Sequence, residues 1–124
     1  VGSAITGSYS YAIFFRATGQ RPCNNNVIMN NVIDFTNKRN FESPSNNFPN
    51  AIYINARETT SEYCIANNNL VIGNTILGVP RAISIRGNGT NLFSRTTKNT
   101  VANNYITDIT TTGVQLEHIG SAVV

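Results

Sequence analysis

The chain has 124 residues, few of them charged, and its formal net charge is +3. This length is enough for one domain with a core, and the scattered basic residues form no run of the kind that binds nucleic acid. No apolar stretch approaches the roughly 18 residues that a membrane helix needs, so neither nucleic acid nor membrane is an expected partner.

Four short segments share one pattern: a small residue, then an apolar, a variable, an apolar and a polar residue. Their first apolar positions, Ile13, Ile52, Ile83 and Val114, are 39, 31 and 31 residues apart. This period-two alternation predicts strands. Strands of about five residues cannot bury a core alone, so we expect them to stack in parallel about 4.8 Å apart, with equivalent residues in columns.

A second pattern recurs between these segments, at residues 28–33, 65–70 and 101–106, where an Asn pair separates apolar residues. The Asn residues make up about one residue in six of the whole chain. Asn tolerates left-handed backbone angles and bonds neighbouring backbone groups. The pairs therefore predict a sharp turn in each coil and a ladder of Asn side chains between coils. The predicted rungs are Asn30, Asn67 and Asn103, or their neighbours Asn31, Asn68 and Asn104.

Together these patterns predict an all-β fold: a right-handed parallel β-helix of about four coils, with an Asn ladder and variable surface loops. The loops are expected at about 36–50, 55–62 and 87–99, and the whole of 1–124 is expected to be one domain. A start at Val1 without Met and an apolar ending favour a fragment of a longer chain. Cys23 and Cys64 lack metal or redox spacing, and the single His118 cannot complete a His-rich site, so no metal or cofactor is expected.

The alternation of Ala-Ile-x-Ile with Val-x-Asn-Asn-x-Ile resembles the parallel β-helix repeat of pectate-lyase-like proteins, over about residues 12–117. That superfamily includes pectin and pectate lyases, polygalacturonases, alginate epimerases, and the tailspikes and depolymerases of bacteriophages. The Asn- and Thr-rich, Lys-poor composition is most similar to the tailspikes. The resemblance implies a homotrimer on a virion appendage or outside the cell, which binds or cleaves a bacterial surface polysaccharide.

The outward residues of the first pattern form two predicted columns on one sheet. In the resembling family this face holds the polysaccharide groove, where aromatic rings offer platforms to sugars and Arg or Asn donates to hydroxyls and carboxylates. The alternatives are a solvated face or one covered by a neighbouring subunit. The predicted substrate-binding residues are Phe14, Tyr53 and Gln115 in one column and Arg16, Asn55 and Arg86 in the next; Ser84 and Glu117 complete the columns.

Catalysis on this face would need carboxylates. Hydrolysis uses two, about 5 Å apart for retention or about 6.5 to 9.5 Å apart for inversion. The predicted catalytic residues are Glu117 and Glu58, which stacking places roughly 10 Å apart, two coils from each other. A lyase would instead use a base and a cation beside an acidic sugar, for which Arg86 next to Glu117 is the candidate.

Three functions stay open at this point. The first is a tailspike-like or other polysaccharide-active segment that binds a cell-surface polysaccharide, with or without cleaving it. The second is a structural shaft segment of a homotrimeric appendage, without a site. The third is a carbohydrate-binding module without catalysis. An open face at Phe14, Tyr53, Arg86 and Glu117 would favour the first or third, whereas burial against sister chains would favour the second.

Overall fold

The computed structural model of the chain describes residues 11–17, 21–37, 49–56, 65–87, 96–120 and 122–124. Within these ranges the regular secondary structure is entirely β. The strands, in chain order, are β1 (Tyr11–Arg16), β2 (Val27–Met29), β3 (Val32–Asp34), β4 (Asn50–Asn55), β5 (Leu70–Ile72), β6 (Thr75–Leu77), β7 (Arg81–Arg86), β8 (Asn99–Ala102), β9 (Tyr105–Thr107), β10 (Thr112–Glu117) and β11 (Ala122–Val123).

The strands form three sheets, and every pairing within them is parallel. Sheet 1 has the order β1-β4-β7-β10, sheet 2 the order β2-β5-β8-β11, and sheet 3 the order β3-β6-β9. The chain visits the three sheets in turn, so neighbouring strands of a sheet belong to successive coils of a solenoid. Sheet 1 thus contains one long strand from each of four coils.

Sheet 1 confirms the predicted column of apolar residues. Ile13 pairs with Ile52, Ile52 with Ile83, and Ile83 with Val114. The two central members, Ile52 and Ile83, are completely buried. Burying one such side chain contributes about 1.5–3 kcal/mol relative to leaving it exposed, so the columns supply the main stabilisation of strands too short to bury a core singly.

Sheets 2 and 3 are built from a five-residue pattern used twice per coil. A residue with left-handed backbone angles comes first, then a ladder Asn, then an outward, an inward apolar and an outward residue. The left-handed residue turns the chain, and the Asn after it anchors the turn to the next coil. The left-handed residues are Asn25, Asn68 and Lys98 before sheet 2, and Asn30, Gly73 and Asn103 between sheets 2 and 3.

Two ladders of Asn side chains run through the coils at these turns. In the first, Asn69 Oδ1 accepts from the backbone N of Asn26 at 3.0 Å and from its Nδ2 at 2.8 Å. The backbone N and Nδ2 of Asn69 donate in turn to Asn99 Oδ1 at 2.9 and 3.0 Å. The second ladder, Asn31–Asn74–Asn104, repeats this geometry. Both ladders satisfy backbone groups that the turns leave without strand partners.

The predicted ladder therefore exists, but the prediction grouped the wrong Asn residues as its rungs. Asn31 and Asn104 are rungs of one ladder, whose middle rung is Asn74 and not Asn67 or Asn68. Asn67 belongs to another ladder, in which it bonds Asn24 below and Thr97 above. The error arose because the middle coil has Gly73 at the left-handed position. Gly fills that position as readily as Asn, so the Asn pair is absent there.

Three more predicted Asn rungs have a different role. Asn30, Asn68 and Asn103 are exposed and take left-handed backbone angles, with φ values of 55°, 56° and 53°. They turn the chain rather than link coils. The predicted loops fall largely outside the described residues, as does Cys64, whereas Cys23 is buried in the core.

Gly87 lies at a tight corner between sheets 1 and 2. A Cβ at this position would lie 2.3 Å from the backbone oxygen of His118 and 3.0 Å from Thr96 Cβ. We expect Gly87→Ala to lower the free energy of unfolding by about 1–3 kcal/mol, as over-packing does, and to loosen β10 from β7. Urea unfolding followed by circular dichroism measures the loss. Gly113→Ala is the matched control, because a Cβ there meets nothing within 4 Å; equal losses in both variants would contradict this account.

Candidate functional site

Sheet 1 brings together the predicted site residues that the structure describes. Phe14 pairs with Tyr53, Tyr53 with Ser84, and Ser84 with Gln115. The neighbouring column contains Arg16, Asn55, Arg86 and Glu117 in the same order of coils. Glu58 lies outside the described residues. One rigid sheet therefore holds side chains that are as far as 103 positions apart in the sequence.

The first coils contribute an aromatic cluster made of Tyr11, Phe14 and Tyr53. The rings of Tyr11 and Phe14 stack with centroids 4.6 Å apart, and those of Phe14 and Tyr53 stack at 5.4 Å. Phe14 is 43% exposed, whereas Tyr53 is 7% exposed. The cluster thus supports one aromatic ring at the surface on a second ring that is almost buried.

The last two coils contribute an ion pair held by neighbouring amide and phenol groups. Arg86 Nε donates to Glu117 Oε2 at 2.5 Å. Gln115 Nε2 donates to the other carboxylate oxygen, Glu117 Oε1, at 2.8 Å. Arg86 also forms a side-chain hydrogen bond with Tyr53. This bond joins the ion pair to the aromatic cluster, so that a continuous line of contacts crosses the four coils.

The line of contacts sets the charge state of Arg86. Partial burial acts to lower the pKa of its guanidinium, but the hydrogen bond and charge interaction with Tyr53, followed by those with Glu117, outweigh burial and raise the pKa. Arg86 is therefore a fixed cation across the range of pH in which proteins are folded. Because both oxygens of Glu117 accept hydrogen bonds, this carboxylate holds Arg86 in place.

Exposure differs sharply along the two columns. Phe14 and Arg16 are exposed, Tyr53 and Ser84 are buried, and Arg86, Glu117 and Gln115 are half-buried. The face is consequently not the uniformly open row that alternation alone predicts. Gln115 Oε1 is buried and has no hydrogen-bond partner among the described residues.

The other carboxylates of the described residues, Asp34 and Asp108, lie at the end of sheet 3 strands, away from sheet 1. Asp34 Oδ1 accepts from Thr36 Oγ1 at 2.6 Å and from Thr36 N at 2.8 Å. These bonds close a local turn at the surface. Asp34 is thus a turn residue in this structure and forms no pair with Glu117.

The Asp34 turn has a pH dependence with a definite sign. Its side-chain hydrogen bond with Thr36, and then the backbone one, lower the pKa of Asp34 below its ordinary value. A lowered folded-state pKa means that the turn contributes stability above the unfolded-state pKa and loses it as the pH falls through the folded-state pKa. NMR titration should therefore find Asp34 more acidic than an unstructured Asp, and Thr36→Val should return it toward the ordinary value. A carboxyl that titrates normally in the unaltered chain would contradict the bonded turn.

Tyr11 belongs to the candidate site although it precedes the repeated pattern by one residue. The predicted pattern begins at Ala12 and therefore does not include Tyr11. Extending the aligned segments by one residue would have included Tyr11, because Tyr11 in β1 pairs with Asn50 in β4. Aromatic residues at both Tyr11 and Phe14 make this end of sheet 1 the most aromatic part of the described surface.

Sheets 2 and 3 present a different surface, which we call the apolar outer face. Its outward side chains include Val27, Met29 and Val32 from the first coil, which are 58%, 51% and 75% exposed, and Tyr105, which is 63% exposed. Leu70 and Ile72 continue it, half-buried, in the second coil. Asp34 is the one charged outward residue on the strands of these two sheets. Exposed apolar patches of this kind mark interaction surfaces.

Within the described residues, no His, Cys, Asp and Glu side chains come together in a group of three that could hold a metal ion. The same residues include no helix of the length and hydropathy needed to cross a membrane. Comparison with known proteins found no matching family model, no matching curated protein and no matching solved structure.

Proposed function

We propose that the chain binds a polysaccharide along the outer face of sheet 1. The observation that carries the proposal is the line of contacts from the exposed Phe14 ring through Tyr53 to the Arg86–Glu117 pair. Strands of successive coils are about 4.8 Å apart, so this line runs parallel to the solenoid axis, from the exposed Phe14 past the buried Tyr53 to the half-buried Arg86–Glu117 pair. A chain of sugar rings is an extended ligand of matching shape.

The chemistry of the line suits a sugar. An exposed aromatic ring is an apolar platform for the C–H face of a pyranose, while the adjacent polar groups meet its hydroxyls. Arginine has five N–H donors, and the contacts of Arg86 with Glu117 and Tyr53 leave some of them for hydroxyl or carboxylate groups. Because these groups are held by a sheet rather than by loops, binding costs little conformational entropy.

Binding is favoured over cleavage by the state of Glu117. Both of its oxygens accept hydrogen bonds, from Arg86 and from Gln115. A carboxylate whose two oxygens are both engaged by side chains of the same sheet is placed to hold Arg86, and neither oxygen is left free to face a glycosidic oxygen. Cleavage by Glu117 with Glu58 is the alternative outcome that the test below distinguishes.

The finer architecture that we propose is a right-handed parallel β-helix of the pectate-lyase-like type. Crossover connections between parallel strands of one sheet are right-handed in almost all proteins, and the repeated patterns resemble those of that superfamily. On the same resemblance we propose that the chain is a segment of a phage tailspike or a related polysaccharide-active protein, located on a virion appendage or outside the cell. Three parallel sheets and the Asn ladders support the proposal.

Isothermal titration calorimetry against a panel of purified capsular and O-antigen polysaccharides tests the function. We expect at least one polysaccharide to bind, and Phe14→Ala and Arg86→Ala each to weaken that binding by about tenfold or more, which corresponds to about 1.4 kcal/mol. Thr100→Ala, on sheet 2, is the control and should bind as the unaltered chain does. Release of reducing ends or unsaturated sugars, abolished by Glu117→Gln, would establish cleavage. Absence of binding, or equal effects of all three Ala variants, would contradict the proposal.

A second function, a shaft segment in a homotrimer, is favoured by the apolar outer face. Its exposed Val27, Met29 and Val32 would be covered by sister chains. Light scattering on the purified chain should then give three times the mass of one chain, 13.5 kDa, and Met29→Lys should abolish the trimer. A mass unchanged by Met29→Lys would exclude a trimer built on this face.

A further inference from the structure

The second outward column of sheet 1 has a cation in every other coil. Its members, in the order of the coils, are Arg16, Asn55, Arg86 and Glu117, and each pairs in register with the next. The two arginines are thus two coils, or roughly 10 Å, apart. A neutral amide lies between them and a carboxylate follows them. Because register partners of parallel strands lie side by side, the backbone fixes this order of charges along the solenoid axis.

Charge is also distributed unevenly around the solenoid. The strands of sheet 1 contain three arginines and one carboxylate. The strands of sheet 3 contain no cation and one carboxylate, Asp34, and Asp108 directly follows the last of them. The charges of these described residues therefore attract an anionic ligand to sheet 1 in preference to sheet 3.

The cation of the third coil is bonded to both neighbouring coils. Arg86 forms a side-chain hydrogen bond with Tyr53 in the second coil, and its Nε donates to Glu117 in the fourth. A guanidinium has five N–H donors, so these contacts leave others for a ligand. A carboxylate is the anion that the planar guanidinium matches best, since two parallel N–H groups can bind its two oxygens.

The first coil presents a cation beside an aromatic ring. Phe14 and Arg16 are both exposed, and they lie two residues, or roughly 7 Å, apart on β1. A sugar ring that stacks on Phe14 can therefore extend a carboxylate to Arg16. This coil suits an acidic sugar in the same way as the third coil does.

The second and fourth coils suit neutral sugars. Asn55 in the second coil has an amide, which bonds hydroxyl or acetamido groups but does not balance a charge. Glu117 in the fourth coil is half-buried and repels a second carboxylate placed beside it. The column consequently distinguishes sugars by charge, coil by coil.

We propose that the polysaccharide bound by sheet 1 has acidic and neutral sugars in alternation. This inference rests on the proposed function and specifies its ligand. One pyranose advances an extended polysaccharide by nearly one coil spacing, so successive sugars lie over successive coils, with carboxylates at Arg16 and Arg86. A uniformly acidic chain would place a carboxylate beside Glu117, and a neutral chain would make no charge contact with either arginine.

Calorimetric titration with four polysaccharides of known repeat tests the inference. Hyaluronan and chondroitin alternate a uronate with a neutral N-acetylhexosamine, polygalacturonate has a carboxylate on every sugar, and dextran has none. We expect hyaluronan or chondroitin to bind at least about tenfold more tightly than polygalacturonate and dextran. Reduction of its carboxyl groups to alcohols should remove that advantage, and added salt should weaken the binding.

The outcomes of this titration separate the inference from the proposed function. Tightest binding of polygalacturonate or dextran would overturn the alternation and leave polysaccharide binding established. Binding of none of the four would also overturn the alternation, whereas the proposed function is decided by its own panel of capsular and O-antigen polysaccharides.

Substitutions in the column test the assignment of sugars to coils. Arg16→Gln and Arg86→Gln should each weaken binding of the alternating chain at least about tenfold. Lys98→Asn is the charge-matched control. It removes a cation outside the column, at a left-handed position where other coils have Asn25 and Asn68, and should leave binding unchanged. An equal loss in Lys98→Asn would show a nonspecific charge effect and overturn the proposal.

Asn55→Arg should change the preference instead of abolishing binding. It supplies a cation in the second coil, where a uniformly acidic chain has a carboxylate, and should shift the affinity ratio toward polygalacturonate at least about fivefold. Asn55→Gln keeps the amide and should leave the ratio unchanged. Circular dichroism verifies that each variant is folded. A folded Asn55→Arg variant with an unaltered ratio would overturn the assignment of one sugar to each coil.

Discussion

Asn74→Ala is expected to lower the free energy of unfolding by about 3–5 kcal/mol, at the upper end of single-substitution effects, because it leaves several buried groups unpaired. Asn74 is completely buried. Its Oδ1 accepts from the backbone N and Nδ2 of Asn31 at 3.0 and 2.9 Å. Its Nδ2 donates to Ile28 O at 3.0 Å and to Asn104 Oδ1 at 2.9 Å. Urea unfolding followed by circular dichroism measures the effect.

Two further substitutions distinguish the contribution of the ladder to stability from that of the turn beside it. Asn31→Ala removes an outer, half-buried rung and should cost about 1 kcal/mol, the typical net value of one hydrogen bond. Asn30→Gly keeps the left-handed turn without touching the ladder, and should change stability by no more than about 0.5 kcal/mol. An Asn74→Ala loss no larger than that of Asn31→Ala would contradict the ladder as a stabilising element.

Ile83→Ala is expected to cost about 2–5 kcal/mol, the range for truncating a buried Ile. Ile83 is completely buried, and its column neighbours are Ile52 below and Val114 above. A rigid stack cannot collapse easily into the space that the substitution leaves, because each backbone is held by strands on both sides. The midpoint of urea unfolding should fall accordingly, with little change in its slope.

The position of Ile83 in a column also predicts how graded changes behave. Ile83→Val removes one methylene and should cost about 0.5–1.5 kcal/mol. Val32→Ala removes an apolar side chain that is 75% exposed on the outer face, and should stay within about 0.5 kcal/mol of the unaltered chain. Similar losses at Val32 and Ile83 would mean that Ile83 is not inside the solenoid.

Sequence periodicity was sufficient to predict sheet 1, since its strands are six residues long and repeat with constant chemistry. Ile13, Ile52, Ile83 and Val114 are register partners in successive strands, as their spacing in the sequence predicts. The ladders were harder, because each coil has two turns that use Asn. Gly73 and Lys98 replace Asn at two of the left-handed positions. A search for single Asn residues followed two positions later by Ile or Val, at steps of 43 and 30, would have aligned them.

The candidate site was predictable as a set of columns but not as a network. Alternation placed Arg86 and Glu117 side by side, because equivalent residues of stacked coils are neighbours. It could not show that Gln115 donates a hydrogen bond to the second carboxylate oxygen of Glu117, or that Tyr53 is buried while the neighbouring Phe14 is exposed. These features depend on side-chain direction and size, which residue spacing does not specify.

NMR of a sample with labelled Ile and Val methyl groups tests the stacking of coils most directly. Contacts through space should connect Ile13 with Ile52, Ile52 with Ile83, and Ile83 with Val114. Ile13 and Ile83, two coils and roughly 10 Å apart, should show none. Methyl contacts confined to residues near each other in sequence, with none of the three expected pairs, would contradict the solenoid and with it the single outer face on which the proposed function depends.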